Sequence, residues 1–169
     1  EQLTLLAGLA TARTIEKVAD LRAHIKWPND VMISGRKVSG ILVERRGTGT
    51  VIGVGLNVLQ ALNDFPPELQ KRATSLYIAT RRNFDRLRVA EELARQIDFW
   101  CARTPPADWL DEWKSRCDML GQRIGLRSNG HLLHGAVADI DPQRGIVLRG
   151  HNGELHFLPA AVSTVVEQG

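Results

Sequence analysis

Between Lys26 and Asn57 the chain runs through short alternations of apolar and polar residues punctuated by turn residues, and this stretch constrains the fold more than any other. Apolar positions at Ile25 and Trp27, Val31 and Ile33, Ile41 and Val43, and Val51 are interrupted at Pro28-Asn29-Asp30, Ser34-Gly35 and Gly47-Thr48-Gly49. Period-two alternation bounded by such residues predicts three strands in an antiparallel meander. Pro28 keeps Trp27 extended and fixes its own φ, so Asn29 and Asp30 sit on a stiff corner. Polar residues gather where strands end: Lys26, Asn29, Asp30, Lys37 and Asn57. Gly40, Gly53 and Gly55 fall inside strands, where glycine weakens a sheet unless a ligand or another backbone comes close. They read as a floor under something flat.

The flanks divide the chain. Residues 2–21 place Leu5, Leu9, Ala12, Ile15, Val18 and Ala19 at steps of three or four, which predicts an amphipathic helix. That helix opens at the first residue with neither a cap nor a starting Met, so further sequence upstream is expected. Asn63-Asp64-Phe65-Pro66-Pro67-Glu68 marks a break, followed by a proline-started turn or loop through about Tyr77. Asp85 is a candidate cap for a helix carrying Leu87, Ala90, Leu93, Ala94, Ile97 and Trp100 on one face, ending at Thr104-Pro105-Pro106. A short helix from Ala107 to Cys117 follows, with Trp109, Leu110 and Trp113 on one side. From Leu120 five short strands separated by glycine-bearing turns occupy 122–127, 132–140, 146–149, 155–158 and 163–166, the pattern of a small barrel. The expected domains are 1–118 and 119–169.

Composition bounds the setting. At 169 residues, 43% apolar and 24% charged, the chain is an ordinary globular length and mix. No apolar run of about 18 residues suits a membrane span, and two cysteines, Cys101 and Cys117, do not make a disulfide framework; a reducing cytoplasm is expected. Net charge is +3, but beyond residue 120 four arginines face four carboxylates, which argues against a nucleic-acid-binding tail. Gly53-Val54-Gly55 lacks the third glycine and following helix of a dinucleotide loop. The pairs His131 with His134 and His151 with His156 lack ligand-like company, so no protein metal site is expected. The run Lys71-Arg72, Arg81-Arg82, Arg86 and Arg88 reads as a solvated face.

Three boxes in order, Lys26-Trp27-Pro28-Asn29-Asp30, Arg36-Lys37-Val38-Ser39-Gly40-Ile41-Leu42-Val43-Glu44 and Gly53-Val54-Gly55-Leu56-Asn57, resemble the biotin protein ligase family. The resemblance covers essentially the whole chain as the later part of such an enzyme. It implies an α+β fold: part of a class II aminoacyl-tRNA synthetase-like mixed sheet with helices, then an SH3-like barrel. It also implies ATP and biotin as substrates, Mg2+ accompanying ATP, and biotinyl-5'-AMP as the intermediate. The acceptor is a lysine of the biotin carboxyl carrier domain of acetyl-CoA carboxylase. Lys37 matches the active-site lysine, placed to bridge biotin carboxylate and phosphate, where positive charge is needed as two anions meet. Asp30 joins it as a catalytic candidate. Asn29 and Asn57 match adenylate-holding positions, while Gly40, Leu42, Gly53 and Leu56 would line the biotin side.

Bland alternatives stand beside each assignment. A lysine at a hairpin end is commonly solvated, asparagines cap strand ends, a turn aspartate bonds its own backbone, and Leu42 and Leu56 suit an ordinary core. The glycine- and arginine-rich loop that family members carry upstream is not in this chain, nor is a helix-turn-helix DNA-binding domain. The polypeptide alone is therefore expected to be weakly active or inactive. Competing readings are a lipoate ligase of the same superfamily and a non-catalytic remnant that binds a carrier protein or forms a homodimer through an exposed sheet edge.

Overall fold

The computed structural model describes residues 2–103 and 107–168. The chain divides into two compact units, Leu3–Arg116 and the segment from Cys117 onward. None of the helices among the described residues is long and apolar enough to cross a membrane.

Helix α1 (Gln2–Ala19) is rich in alanine and leucine, residues that lose little on entering a helix. It buries far more than the single stripe its periodicity predicts: every residue from Leu5 to Ala12 is buried, with Thr14, Ile15 and Ala19, whereas Val18 is only half-buried. Two threonines survive there because their hydroxyls donate to carbonyls one turn back, Thr11 to Ala7 at 2.7 Å and Thr14 to Ala10 at 2.8 Å. The helix stops at Asp20, whose φ of 56° is left-handed and whose N–H donates to the Glu16 carbonyl.

The meander follows, with four strands rather than three: β1 (His24–Lys26), β2 (Asp30–Ile33), β3 (Arg36–Arg46) and β4 (Gly49–Leu56), all antiparallel in the order β1-β2-β3-β4. The difference arises at the Trp27–Pro28 corner. There Trp27 is buried inside a turn spanning residues 27–29, so Ile25 belongs to a separate short strand. A bulge interrupts the β2–β3 ladder: Val31 pairs with Ser39 and Met32 with Lys37, leaving Val38 as the extra residue.

Beyond a 3-10 turn at Leu62–Asp64 come α2 (Leu76–Thr80), α3 (Arg86–Cys101) and α4 (Ala107–Lys114). Tyr77, expected at the end of a loop, lies within α2. Asp85 caps α3 as expected, accepting the Leu87 N–H at 2.9 Å. The face that α3 buries matches the expected one only at its later positions, where Trp100 is buried and Leu93 and Ile97 are half-buried. Leu87 is 74% exposed and Ala90 and Ala94 are exposed, while Val89, Glu92 and Trp100 are buried. Glu92 can be buried because Lys17 (3.0 Å), Arg95 (2.8 Å) and Gln96 (2.8 Å) surround its carboxylate. The expected stop at Thr104-Pro105-Pro106 lies outside the described residues. Helix α4 buries Trp109 and Trp113.

Arg116 ties these elements together. Its Nε and Nη2 donate to the two Glu16 oxygens at 3.0 and 2.9 Å, its Nη1 pairs with Glu112 at 3.0 Å, and its carbonyl accepts the Ile25 N–H at 2.8 Å. Burial alone would raise the Glu16 carboxyl, but Arg116 and Arg13 hold it below the ordinary carboxylate value.

The second unit is an antiparallel five-stranded sheet: β5 (Arg123–Ser128), β6 (His131–Asp141), β7 (Gly145–Arg149), β8 (Leu155–Leu158) and β9 (Ser163–Gln168), ordered β8-β7-β6-β5-β9. Asn129-Gly130, both at positive φ, make the tight β5–β6 turn. Ile124, Leu126, Val137, Ile140, Ile146 and Leu148 form its core, and the paired hydroxyls of Ser128 and Ser163, 3.0 Å apart, are buried with them. Mixed α and β structure with antiparallel sheets matches the expected class.

Candidate functional site

The site assembles on one face of the β1–β4 sheet. Asp30 lies directly across the ladder from Gly40, and the Val38 bulge turns Lys37 onto that same face, where its Nζ pairs with Asp30 Oδ1. A Cβ at Gly40 would lie 3.2 Å from both Cε and Nζ of Lys37. Glycine at position 40 thus lets the lysine side chain cross the strand. With the lysine side chain 47% exposed, the ion pair is worth no more than about 1 kcal/mol. It aims the ammonium without withholding it from an incoming anion.

Farther along, Gly40 faces Gly55 and Leu42 faces Gly53, which puts Gly40, Leu42, Gly53 and Gly55 on one surface. Leu42 is 61% exposed. Leu56 is not part of this surface: it pairs with the buried Ser39 and so points to the other side, where it lines a pocket with Val58, Leu59, Gln60, Asp64 and Arg86.

Both asparagines are committed to the backbone through their donor ends. Asn29 Nδ2 donates to the Ile41 carbonyl at 2.9 Å while the Ile41 N–H donates to the Asn29 carbonyl at 2.9 Å. Asn57 Nδ2 donates to the Thr74 carbonyl at 3.0 Å. The end each amide can present to a ligand is therefore Oδ1, an acceptor. Of the residues singled out in the sequence, Asp30, Lys37, Gly40, Leu42 and Gly53 share one face, the two asparagines flank it at strand ends, and Leu56 stands apart.

One part of the site went unread. Arg72–Thr74 returns beside Lys37 as a parallel bridge, anchored by the buried Ser75, whose hydroxyl accepts the Ile78 N–H at 3.0 Å. A serine immediately before Leu76-Tyr77-Ile78 is a helix N-cap signal that could have located it. Among the described residues there is no group of three or more His, Cys, Asp or Glu that could hold a metal ion.

Residues 1–59 match the Biotin/lipoate A/B protein ligase family. The chain is 35% identical over 162 residues to the bifunctional ligase/repressor BirA of Bacillus subtilis, covering 90% of this chain but 49% of that protein, so it spans about half the length of that relative. It is 31% identical over 173 residues to the biotin--[acetyl-CoA-carboxylase] ligase of Paracoccus denitrificans, covering 95% of this chain and 71% of that one. Among solved structures, the biotin protein ligase from Aquifex aeolicus in complex with biotin and ATP superposes with a TM-score of 0.87 at 25% identity, over 98% of this chain and 71% of that chain.

Proposed function

The chain belongs to the biotin protein ligase family, and from that premise we propose that it carries the sheet side of a site that joins biotin to ATP and passes it to a carrier lysine. In the first step a biotin carboxylate oxygen attacks the α-phosphorus and pyrophosphate leaves, giving biotinyl-5'-AMP. In the second the carrier lysine amine attacks the acyl carbon and AMP leaves. Lys37 Nζ would bridge the carboxylate and the α-phosphate, neutralising charge where two anions meet. Asp30 would accept a hydrogen bond from the incoming amine once Lys37 turns to the phosphate. Asn29 and Asn57 would offer Oδ1 to the adenylate, and Gly40, Leu42, Gly53 and Gly55 would lie under biotin, with Leu56 supporting the strand from behind. Mg2+ enters with ATP.

The observation that carries this reading is the glycine floor. A Cβ at Gly53 would meet nothing nearer than 3.5 Å, and one at Gly55 nothing nearer than 3.8 Å. The protein's own packing therefore does not require glycine there, whereas a ligand lying flat on the strands does. The expected test is calorimetric: a non-hydrolysable biotinyl-adenylate analogue binds at micromolar Kd or tighter, and Lys37→Ala weakens it by at least tenfold, about 1.4 kcal/mol. Binding indifferent to Lys37→Ala would remove the assignment.

Finer features follow the same reading. The first unit is the later part of a class II synthetase-like catalytic domain. The five-stranded sheet, with its 3-10 turn at Ala160–Val162 before the last strand, is an SH3-like barrel. The acceptor is the carrier domain of an acetyl-CoA carboxylase, a reading supported by the Paracoccus relative's name. Because Leu42, Gly53 and Gly55 are exposed, an adenylate held here is open to water, and turnover by these residues alone is expected to be low. The matched family also includes lipoate ligases, and labelled biotin and lipoate offered side by side separate the two.

A further inference from the structure

A single short segment holds both the lysine side and the nucleotide side of the proposed site. Arg72–Thr74 brackets Lys37: the Lys37 N–H donates to the Arg72 carbonyl at 2.7 Å, and the Thr74 N–H donates to the Lys37 carbonyl at 2.8 Å. Immediately afterwards the segment turns to Asn57. The Thr74 carbonyl accepts from Asn57 Nδ2 at 3.0 Å, and the Leu76 N–H donates to the Asn57 carbonyl at 3.0 Å. Lys37 and Asn57 belong to different strands, and this strap joins them.

The strap is fastened by one hydroxyl. Ser75 is fully buried, and its Oγ donates to the Gln60 carbonyl at 2.6 Å while accepting the Ile78 N–H at 3.0 Å. The first bond closes the loop from Gln60 to Ser75 at its base; the second starts α2. Neighbouring Thr74 is equally buried, but its hydroxyl reaches only the Ser75 carbonyl, at 3.5 Å. Two adjacent buried hydroxyls thus differ sharply in what they hold.

We infer that Ser75 is a positioning residue of the proposed ligase site: its hydroxyl pins the Arg72–Leu76 strap so that Lys37 and Asn57 keep a fixed separation. The inference rests on the roles proposed above for those two residues. Losing the hydroxyl leaves the Gln60 carbonyl and the Ile78 N–H without their partner and frees the strap to lift from both strands. Small displacements of a positioned group are costly to a reaction that depends on orientation.

Amide hydrogen exchange tests this without any ligand. In Ser75→Ala the Lys37, Thr74 and Leu76 amides are expected to exchange about tenfold faster, while the Ile41 amide, bonded to Asn29, is unchanged. Thr74→Val should leave all four unchanged, and Ser75→Thr should restore the wild-type pattern. Ser75→Gly, which an N-cap position tolerates, repeats the test if the alanine variant does not fold. In parallel, Ser75→Ala should lower affinity for the biotinyl-adenylate analogue about tenfold, with Ser75→Thr rescuing it. Unchanged Lys37 exchange in Ser75→Ala, or equal effects from Thr74→Val, would overturn the inference. Exchange behaving as expected while Lys37→Ala binds the analogue like wild type would instead overturn the function proposed for the site, and with it the strap's catalytic meaning.

Discussion

Gly55 sits directly opposite Gly40 across the β3–β4 ladder, and an added Cβ there would meet only the Gly40 carbonyl oxygen, at 3.8 Å. If the proposed site is right, folding and binding pull in opposite directions at this residue. Gly55→Ala removes backbone freedom from the unfolded chain and fits without strain, so unfolding stability should rise by about 0.5 to 1 kcal/mol. The same methyl group stands where the ligand would lie, so affinity for a biotinyl-adenylate analogue should fall at least tenfold. Denaturant midpoints and calorimetry on the one variant check both signs. Gly40 behaves differently, because its Cβ would meet the Lys37 side chain at 3.2 Å; Gly40→Ala should displace the lysine. That Gly40, Gly53 and Gly55 lie within strands was legible from their places in alternating segments. The crossing of Lys37 over Gly40 was not, because it depends on the extra residue Val38, and a bulge leaves no mark in a period-two count. Leu56 was misplaced for a simpler reason: it lies three positions from Gly53 in one strand, and an odd spacing puts the two on opposite faces.

Helices were located well in the sequence but their buried faces only in part: α4 buries the expected Trp109 and Trp113, α1 buries its expected stripe, Val18 excepted, and more, and α3 departs from expectation. In α3 three of the six residues expected on the apolar face, Leu87, Ala90 and Ala94, are exposed, while Leu93 and Ile97 are half-buried, Trp100 is buried and Glu92 is 7% exposed. Periodicity counts apolar residues and cannot see that Lys17, Arg95 and Gln96 come together around one carboxylate. The same blindness hid the contact between α1 and the end of α4, where Glu16 and Arg116 lie 100 positions apart and meet in a two-point ion pair. Arg116 is 9% exposed at its side chain and Glu16 21%, so removing the carboxylate strands a largely buried guanidinium. Glu16→Gln should destabilise the protein at pH 7 by about 1 to 3 kcal/mol, less than for an isolated buried pair because Glu112 remains beside Arg116. The pH dependence has a definite sign. The folded-state Glu16 pKa lies below its ordinary value, so its stabilisation is present above the unfolded pKa and lost as pH falls through the folded one. The gap between wild type and Glu16→Gln should therefore be full at pH 6 to 7 and close below about pH 4. Urea unfolding of both proteins across that range would show it. A gap that widened in acid would mean the carboxylate is not ionised in the native pair.

At the scale of the whole chain, the two units divide at a boundary between Arg116 and Cys117, from helices packed on a meander to strands packed on one another. Natural probes fall cleanly on its two sides. All four tryptophans, Trp27, Trp100, Trp109 and Trp113, lie in Leu3–Arg116, and none lies beyond it. Cys117 opens the second unit, where burial pushes its thiol up to about 11. At pH 8 a thiol with that pKa is almost wholly protonated and unreactive. Its alkylation therefore requires the second unit to open, whereas tryptophan fluorescence reports the first. Cys101 is exposed, although partial burial and the nearby Asp98 also raise its pKa, so Cys101→Ser leaves one reporting thiol. Each unit has its own buried core: Leu9, Ile15, Ile25 and Trp113 in the first, Leu126, Ile140, Ile146 and Leu148 in the second. Separate cores melt separately unless a large interface couples them. In a urea series at pH 8, the midpoint for Cys117 alkylation and the midpoint for tryptophan fluorescence are expected to differ. Coincident midpoints would mean that the chain unfolds as one cooperative body. The β1–β4 sheet and the five-stranded sheet would then have to be treated as a single folding unit, and a destabilising substitution such as Glu16→Gln would be felt equally at Cys117.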